Sequence, residues 1–465
     1  MRRTVIAGVD LHRHLAVLRT ELSVPGAFAP DVEAEAARTA TTWARDGRID
    51  ATDLALVTLD PAGSRDLDQA FVLERAEGGF VFHYAIADVA SFVPAGGPID
   101  IEAHRRGETF YLPDGRVPLH PTVLSEGAAS LLPGVERPAV LWRVELDAGA
   151  EVRSVHVQRA VVRSRAQLDY DAVERTAPEV YTLLAEFGRL RQEQERARGA
   201  VSLPVPEQQV VADGSGWRLA YRAPLPVEDW NAQLSLLTGM CAARLMLDHG
   251  VGLLRTMPPP DAATVASLRR SAVALGVAWP EGAAYADVIR RLDANQPANA
   301  AVLRLAAVLF RGAGYVAFDG SLPAMQTHSA LASPYAHATA PLRRLADRYV
   351  SECCLAVAAG VAVPDWVRTA LPSLPQQMAD ADRRAHQVDR AVVDLAEALV
   401  LQPRVGAVFA GVVVESGERG GEVQLREPAV RARVEGAPLP LGAEVEVRLV
   451  SVDVEKRRVV FAAAT

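Results

Sequence analysis

Three aspartates crowd the stretch DPAGSRDLDQAF at residues 60–71: Asp60, Asp66 and Asp68 fall at i, i+6 and i+8, with Pro-Ala-Gly-Ser after the first. Like charges this close repel, and in a low-dielectric setting at least one carboxyl would have to stay protonated. A divalent cation removes that conflict. Asp66 and Asp68 are two positions apart, so an extended backbone turns them to one side. An oxygen-only donor set suits Mg2+ or Mn2+ rather than zinc, and such ions clamp the attacking and leaving oxygens of a phosphoryl transfer. Two other readings stay open on these residues alone. Aspartate is common in plain turns because its side chain bonds nearby backbone, and a D-x-D pair also serves glycosyltransferases, although no nucleotide-binding βαβ start is visible.

The second chemically loaded stretch is SPYAHATAPLRRLADRYVSECC, residues 333–354. Pro341 fits the first turn of a helix over 341–359. Leu342, Leu345, Ala346, Tyr349, Val350 and Cys353 make one apolar stripe, and Gly360 follows the end. Arg343 and Arg344 would then sit in the first turn, where a positive charge opposes the helix dipole by ~0.3–1 kcal/mol unless an anion offsets it. Free N–H groups with two guanidinium forks would make a phosphate site. The alternative is a pair of solvated arginines with Asp347 as local partner. Glu228 and Asp229 open another helix, where acids suit the dipole.

Elements must bring these stretches together. Residues 1–50 predict two helices: one carrying Leu11, Leu15, Leu18 and Leu22, and one from Pro30 to Gly47. They leave open a helix-turn-helix or a helical cap on the next domain. From residue 52 the pattern turns to strands, with a hairpin over AFVLERAEGGFVFHYAIADVASFV tipped by Gly78-Gly79 and a second meander over 139–164. Long helices are predicted at 178–197, 228–250, 260–275, 298–313, 341–359 and 376–400. After Pro403 about five short strands follow within about 60 residues, the size of an OB-type barrel. The expected fold class is α+β, in three parts: a helical region 1–50, a catalytic domain 51–402 of mixed sheet surrounded by helices, and a barrel 403–465.

With 465 residues, half of them hydrophobic, and a net charge of −8, the chain is no basic-coated nucleic-acid binder. Positive charge for such a ligand must be gathered in a groove. Lys456 is the single lysine, so nearly all basic residues are arginine, a pattern that GC-rich codon usage also produces. Cys241, Cys353 and Cys354 form no CxxC pair and sit in apolar helical stretches, as buried thiols of a reducing compartment would. No signal-peptide core, membrane span or P-loop pattern occurs. A soluble cytoplasmic protein is expected.

The two motif stretches together resemble the ribonuclease II (RNB) family of 3′→5′ exoribonucleases. That family carries D-x5-D-x-D-D, matched here by Asp60, Asp66 and Asp68, with Gln69 in the fourth place, and a pattern near Y-x-H-x-T-S-P-I-R-R-x-x-D, matched by Tyr335, His337, Thr339, Pro341, Arg343, Arg344 and Asp347, with Ala340 for the serine. The resemblance implies that Asp60, Asp66 and Asp68 hold Mg2+ (or Mn2+) with help from Gln69. It makes Asp68 the acid activity depends on most, and sets Arg343, backed by Arg344, against the phosphate at the scissile bond. It further implies that Tyr111, in ETFYLPDGRVPLHP, stacks on a base, that Tyr170, in SRAQLDYDAV, lies near the terminal ribose, and that Glu228 contacts a ribose hydroxyl. Asp389 takes the place of a closing-helix glutamate, and His337 reads as a structural hydrogen-bonding residue.

The expected partner is single-stranded RNA, extending to RNA with a 3′ overhang because helices stand where members commonly carry two cold-shock barrels. No membrane or nucleotide cofactor and a monomeric state are expected. The rival is an RNA-binding protein with a degenerate nuclease site, which Gln69 keeps open.

Overall fold

A computed structural model describes residues 6–176, 179–203, 207–214, 216–294, 296–425 and 427–464. Seven strands make the central sheet: β1 (Ile49–Ala51), β2 (Val57–Asp60), β3 (Gln69–Ala76), β4 (Gly79–Ala87), β5 (Glu136–Asp147), β6 (Val152–Arg163) and β7 (Ala166–Asp169). Their order is β7-β2-β3-β4-β5-β6-β1. The five from β2 to β6 run antiparallel, while β7 lies parallel to β2 and β1 parallel to β6. The β3–β4 turn is tight because Gly78 takes φ +75°.

Strand alternation gives the sheet two unlike faces. Phe82, Tyr84, Ile86, Val140, Trp142 and Val144 enter the main core, whereas Ala85, Ala87, Ala139 and Leu141 enter a second core on the other side. The large-residue face is covered by helices α3 (Glu179–Ala197), α4 (Pro226–His249) and α5 (Leu345–Ala358). Gly239 of α4 has no room for a Cβ, because the Tyr335 ring and the Ala336 carbonyl would lie within 2.8 Å of it. The 333–344 segment can therefore lie flat on α4.

The longest helix, α6 (Leu374–Leu401), is the spine of the molecule. Leu374, Met378, Ala381, Val388, Ala391, Val392, Leu395 and Leu401 form its buried stripe. The lower part of that stripe shares a core with α1 (Gly8–Glu21), the hairpin Phe110–Leu112/Gly115–Val117 and a five-strand closed barrel. The barrel comprises β8 (Val408–Gly417), β9 (Gly420–Leu425), β10 (Arg431–Glu435), β11 (Glu444–Asp453) and β12 (Arg458–Ala463), in the order β8-β9-β10-β12-β11. The α+β class and the OB-like barrel are as expected from the sequence.

Three expectations change. First, α2 (Pro30–Thr39) stops short of Gly47. The Thr39 and Thr41 hydroxyls donate to the Ala36 and Arg38 carbonyls, local bonds that compete with continuing the helix. Second, α1 and α2 serve different cores. Leu11, Leu15 and Leu18 pack with α6 and the barrel, Val32 and Ala36 with the small-residue face of the sheet, so they do not form one two-helix unit. Third, α5 begins at Leu345, not Pro341. Residues 343–345 are used as a strand-like bridge instead: Thr109 N–H donates to the Arg343 carbonyl (3.0 Å) and Leu345 N–H to the Gly107 carbonyl (3.0 Å). Arg343 and Arg344 therefore precede the helix, and the first-turn phosphate argument does not apply to them.

Candidate active site

The acid turn follows β2. Pro61-Ala62-Gly63-Ser64 closes with Ser64 N–H on the Pro61 carbonyl (3.1 Å), and Gly63 takes φ +81°, which a type II turn requires at its third position. Beyond the turn the chain is pinned from the 124–132 loop. Ser130 Oγ accepts from Leu67 N–H (2.9 Å) and donates to the Arg65 carbonyl (2.6 Å), and Leu131 N–H donates to the Leu67 carbonyl (3.0 Å). Leu67 is fully buried, so its neighbours Asp66 and Asp68 are held in fixed directions.

Those directions differ. Asp68 is 4% exposed and turns inward. Its Oδ1 accepts from Leu342 N–H (2.7 Å) and its Oδ2 lies 3.6 Å from Arg343 Nε. Burial pushes the Asp68 carboxyl up to about 8, against the pull of Arg343 and the Leu342 N–H. Burial likewise pushes Asp60 up to about 6, with added repulsion from Asp66. Asp60 Oδ2 is buried and has no hydrogen-bond partner among the described residues. Asp66 is turned toward the Phe110–Val117 hairpin: Arg116 Nη1 donates to its Oδ1, and Tyr111 Oη lies 3.5 Å from its Oδ2. Accordingly, no set of three His, Cys, Asp or Glu side chains among the described residues converges as a metal centre.

Gln69 opens β3 and is held at both ends. Its Nε2 donates to the Thr339 carbonyl (2.6 Å), and its Oε1 accepts from Tyr84 Oη (2.9 Å), which also meets Ser235 Oγ of α4 (2.8 Å). The amide is thus a tie between the acid turn and the 333–344 segment, a bond that a carboxylate could not donate. Its oxygen is shared with Tyr84 rather than offered freely to a cation.

The two arginines part company. Arg343 is 45% exposed at its side chain and faces Asp68. Arg344 is spent on Asp347, Nε to Oδ2 at 2.8 Å and Nη2 to Oδ1 at 2.9 Å, and Asp347 also accepts from Ala340 N–H (2.7 Å). Asp347 is fully buried, so Arg344 is its counter-charge and not a free substrate contact. His337 is structural, with Tyr315 Oη 2.6 Å from its Nδ1.

Tyr170 arrives through strand register. Asp169 pairs with Asp60 across β7 and β2, so the next residue stands at the acid end of the sheet. Asn231 Nδ2 donates to Tyr170 Oη (3.1 Å), and burial pushes that phenol up to about 12. Glu228 is bound elsewhere: it pairs with Arg222, Nη1 to Oε2 at 3.1 Å, and its Oε1 accepts from Leu225 N–H at the start of α4 (3.3 Å). Sequence reasoning missed Arg116 and Asn231. Arg116 was legible, because L-P-D-G-R reads as a tight hairpin turn that sets Tyr111 opposite Arg116. Asn231 carried no signal beyond its place on a helix. From Tyr111 a groove of about 1050 Å³ runs along α6 to the barrel, past His386, Arg390, Arg304 and Arg431 and the acids Asp389, Asp394, Glu397 and Glu422.

The acids offer oxygen donors alone, and the unpartnered Asp60 Oδ2 fits a divalent cation, whereas Asp68 is held by the Leu342 N–H and faces Arg343. Among the described residues no helix is long and apolar enough to cross a membrane.

Comparison with known proteins shows what the chain resembles. The chain is 27% identical to ribonuclease R of Escherichia coli over 90% of its own length and 57% of that protein's, and 26% identical to ribonuclease R of Aquifex aeolicus over 89% and 64%. The chain therefore spans less than two thirds of the length of these relatives. Its fold superposes on Mycoplasma genitalium ribonuclease R, solved with ribose-methylated single-stranded RNA, with a TM-score of 0.88 at 20% identity, covering 98% of this chain and 78% of that one. It also superposes on yeast Ssd1, a pseudonuclease, with a TM-score of 0.70 at 18% identity, over 88% and 52%. The RNB domain model matches residues 48–358 and the model of the RNase II-type exonuclease C-terminal S1 domain matches 407–464; the chain belongs to the RNB family.

Proposed function

We propose that this chain is a metal-dependent 3′→5′ exoribonuclease that hydrolyses single-stranded RNA to nucleoside 5′-monophosphates. The observation that carries the reading is the meeting of Asp68 and Arg343, an acid and a half-exposed cation brought from two distant stretches to 3.6 Å. Family membership and the groove leading away from Tyr111 support it.

Asp60 and Asp68 would hold the divalent ion, Mg2+ or Mn2+, with Asp66 on their outer side. When bound, the ion supplies positive charge to the phosphate and lowers the pKa of a coordinated water. Arg343 neutralises the charge that develops on the phosphate in the transition state. Tyr170, oriented by Asn231, stands at the acid end of the sheet, where the terminal nucleotide would lie. Tyr111, half exposed at the groove's near end, offers a face for base stacking worth ~1–3 kcal/mol. Glu228 could reach a ribose only by leaving Arg222. The partition into a helical N-terminal region, a catalytic body 51–402 and a barrel 403–465, a cytoplasmic setting, a monomeric state and action on RNA with a 3′ overhang are parts of the same proposal.

Asp68→Asn tests it. Turnover of an oligoribonucleotide should vanish while binding, followed by fluorescence anisotropy, persists. Turnover at the wild-type rate would remove Asp68 from the chemistry.

A further inference from the structure

Behind the meeting of Asp68 and Arg343 stands a buried histidine. His120 lies in the P-L-H-P run after the Phe110–Leu112/Gly115–Val117 hairpin and is 2% exposed. The backbone around it is tied from three sides. Arg106 Nη1 donates to the Pro118 carbonyl (3.0 Å), Leu119 N–H donates to Thr109 Oγ1 (3.0 Å), and Ser125 Oγ donates to the His120 carbonyl (3.2 Å). Thr109 also reaches the 333–344 segment, since its own N–H donates to the Arg343 carbonyl (3.0 Å). The His120 ring donates to the Pro341 carbonyl. Its Nδ1 is buried and has no hydrogen-bond partner among the described residues, so Nε2 carries the proton that makes this bond. Burial, with the Arg348 and Arg106 charges, pushes the imidazole down to about 3 against the Pro341 bond and Asp100, and a neutral ring has that one N–H to give.

We propose that His120 is a positioning residue of the candidate active site: it holds the Pro341–Leu342 peptide, whose far end takes Asp68 and whose next residue presents Arg343. The Pro341 carbonyl and the Leu342 N–H are two ends of one planar unit. His120 holds the carbonyl end, and the N–H end donates to Asp68 Oδ1 (2.7 Å). Hydrogen bonds in such a chain polarise one another, so the bond at the carbonyl strengthens the bond to Asp68. Arg343 follows directly, with its Nε 3.6 Å from the other Asp68 oxygen. A rotation of this peptide would therefore carry both groups out of place. The inference rests on the proposed ribonuclease site and adds the residue that sets its geometry.

Two amides of different reach test it in the intact chain. The Gln amide nitrogen falls near the place of the imidazole Nε2, while that of Asn falls near Nδ1 and stops short of Pro341. His120→Asn should lose at least about 10-fold in kcat on an oligoribonucleotide with KM within about twofold, and His120→Gln should keep kcat within about threefold of the wild type. Wild-type kcat in His120→Asn, an equal loss in His120→Gln, or a loss confined to KM would overturn the proposal. A second measurement needs neither variant nor turnover. In the wild type labelled with 15N-histidine, the His120 ring should be neutral at neutral pH with its proton on Nε2; a proton on Nδ1 alone would overturn the proposal. A wild type that cleaves no RNA would sink the ribonuclease reading, a result distinct from either of these, and the ring nitrogens would still decide whether His120 holds the peptide.

Discussion

Arg343 and Arg344 are chain neighbours with different tasks, and the difference comes from what each faces. Arg344 neutralises a fully buried aspartate, so Arg344→Ala leaves Asp347 charged and unpaired at a cost of about 3–5 kcal/mol. Thermal melting should show a large drop for that variant. Arg343→Ala loses only a loose 3.6 Å ion pair in the folded state, so its Tm should match the wild type while turnover falls at least ~10-fold. Equal losses of Tm in the two variants would contradict the assignment. Gln69→Leu keeps the side-chain volume but strands the Thr339 carbonyl and takes one of two partners from the Tyr84 hydroxyl, a loss of about 1–3 kcal/mol. A midpoint in urea unchanged by that substitution would show that Gln69 is no tie.

At the scale of elements, much of the site was written in local pattern. The β3–β4 hairpin, α4, α6 and the barrel all follow from periodicity and turn residues, and the acid turn follows from Pro-Ala-Gly-Ser between strands. What the pattern could not show is competition for backbone groups. Nothing in PLRRLADRY says that Arg343–Leu345 will bond to Gly107 and Thr109 rather than start a helix, because that bridge depends on residues more than 200 positions away. Likewise Asp66 and Asp68 were expected on one side, but pinning by Ser130 sends Asp68 inward and leaves Asp66 to Arg116. Packing of the 333–344 segment on α4 makes its own prediction. A methyl group at Gly239→Ala would overlap the Tyr335 ring and the Ala336 carbonyl, so stability should fall by about 1–3 kcal/mol or more, read by urea unfolding. Wild-type stability in that variant would mean the segment is not seated as described.

The whole molecule is joined where α6, the Glu207–Asp213/Gly216–Arg222 hairpin and the barrel meet at Glu397, which is 5% exposed. Its Oε1 accepts from Gln208 Nε2 (2.6 Å) and from Arg431 N–H of β10 (2.8 Å). Burial pushes this carboxyl up to about 8 from an ordinary 4.5; those two hydrogen bonds and the Arg431 charge pull it back, and Asp394 pushes it further. A carboxyl held neutral in the folded state gives stability that is full below pH 4.5 and lost as pH rises toward 8. Glu397→Gln keeps the acceptor and removes the charge, so its Tm advantage over the wild type should grow between about pH 5 and pH 8.5, reflecting on the order of a few kcal/mol. An advantage that does not change with pH would mean the joint is not held by a neutral acid. The central claim, that this fold carries a working metal-dependent ribonuclease, is tested most directly by incubating labelled poly(A) with the intact chain, with Mg2+ and with EDTA. The account predicts nucleoside 5′-monophosphates with Mg2+ and intact RNA with EDTA. RNA bound but never shortened in Mg2+, or shortened equally in EDTA, would contradict it.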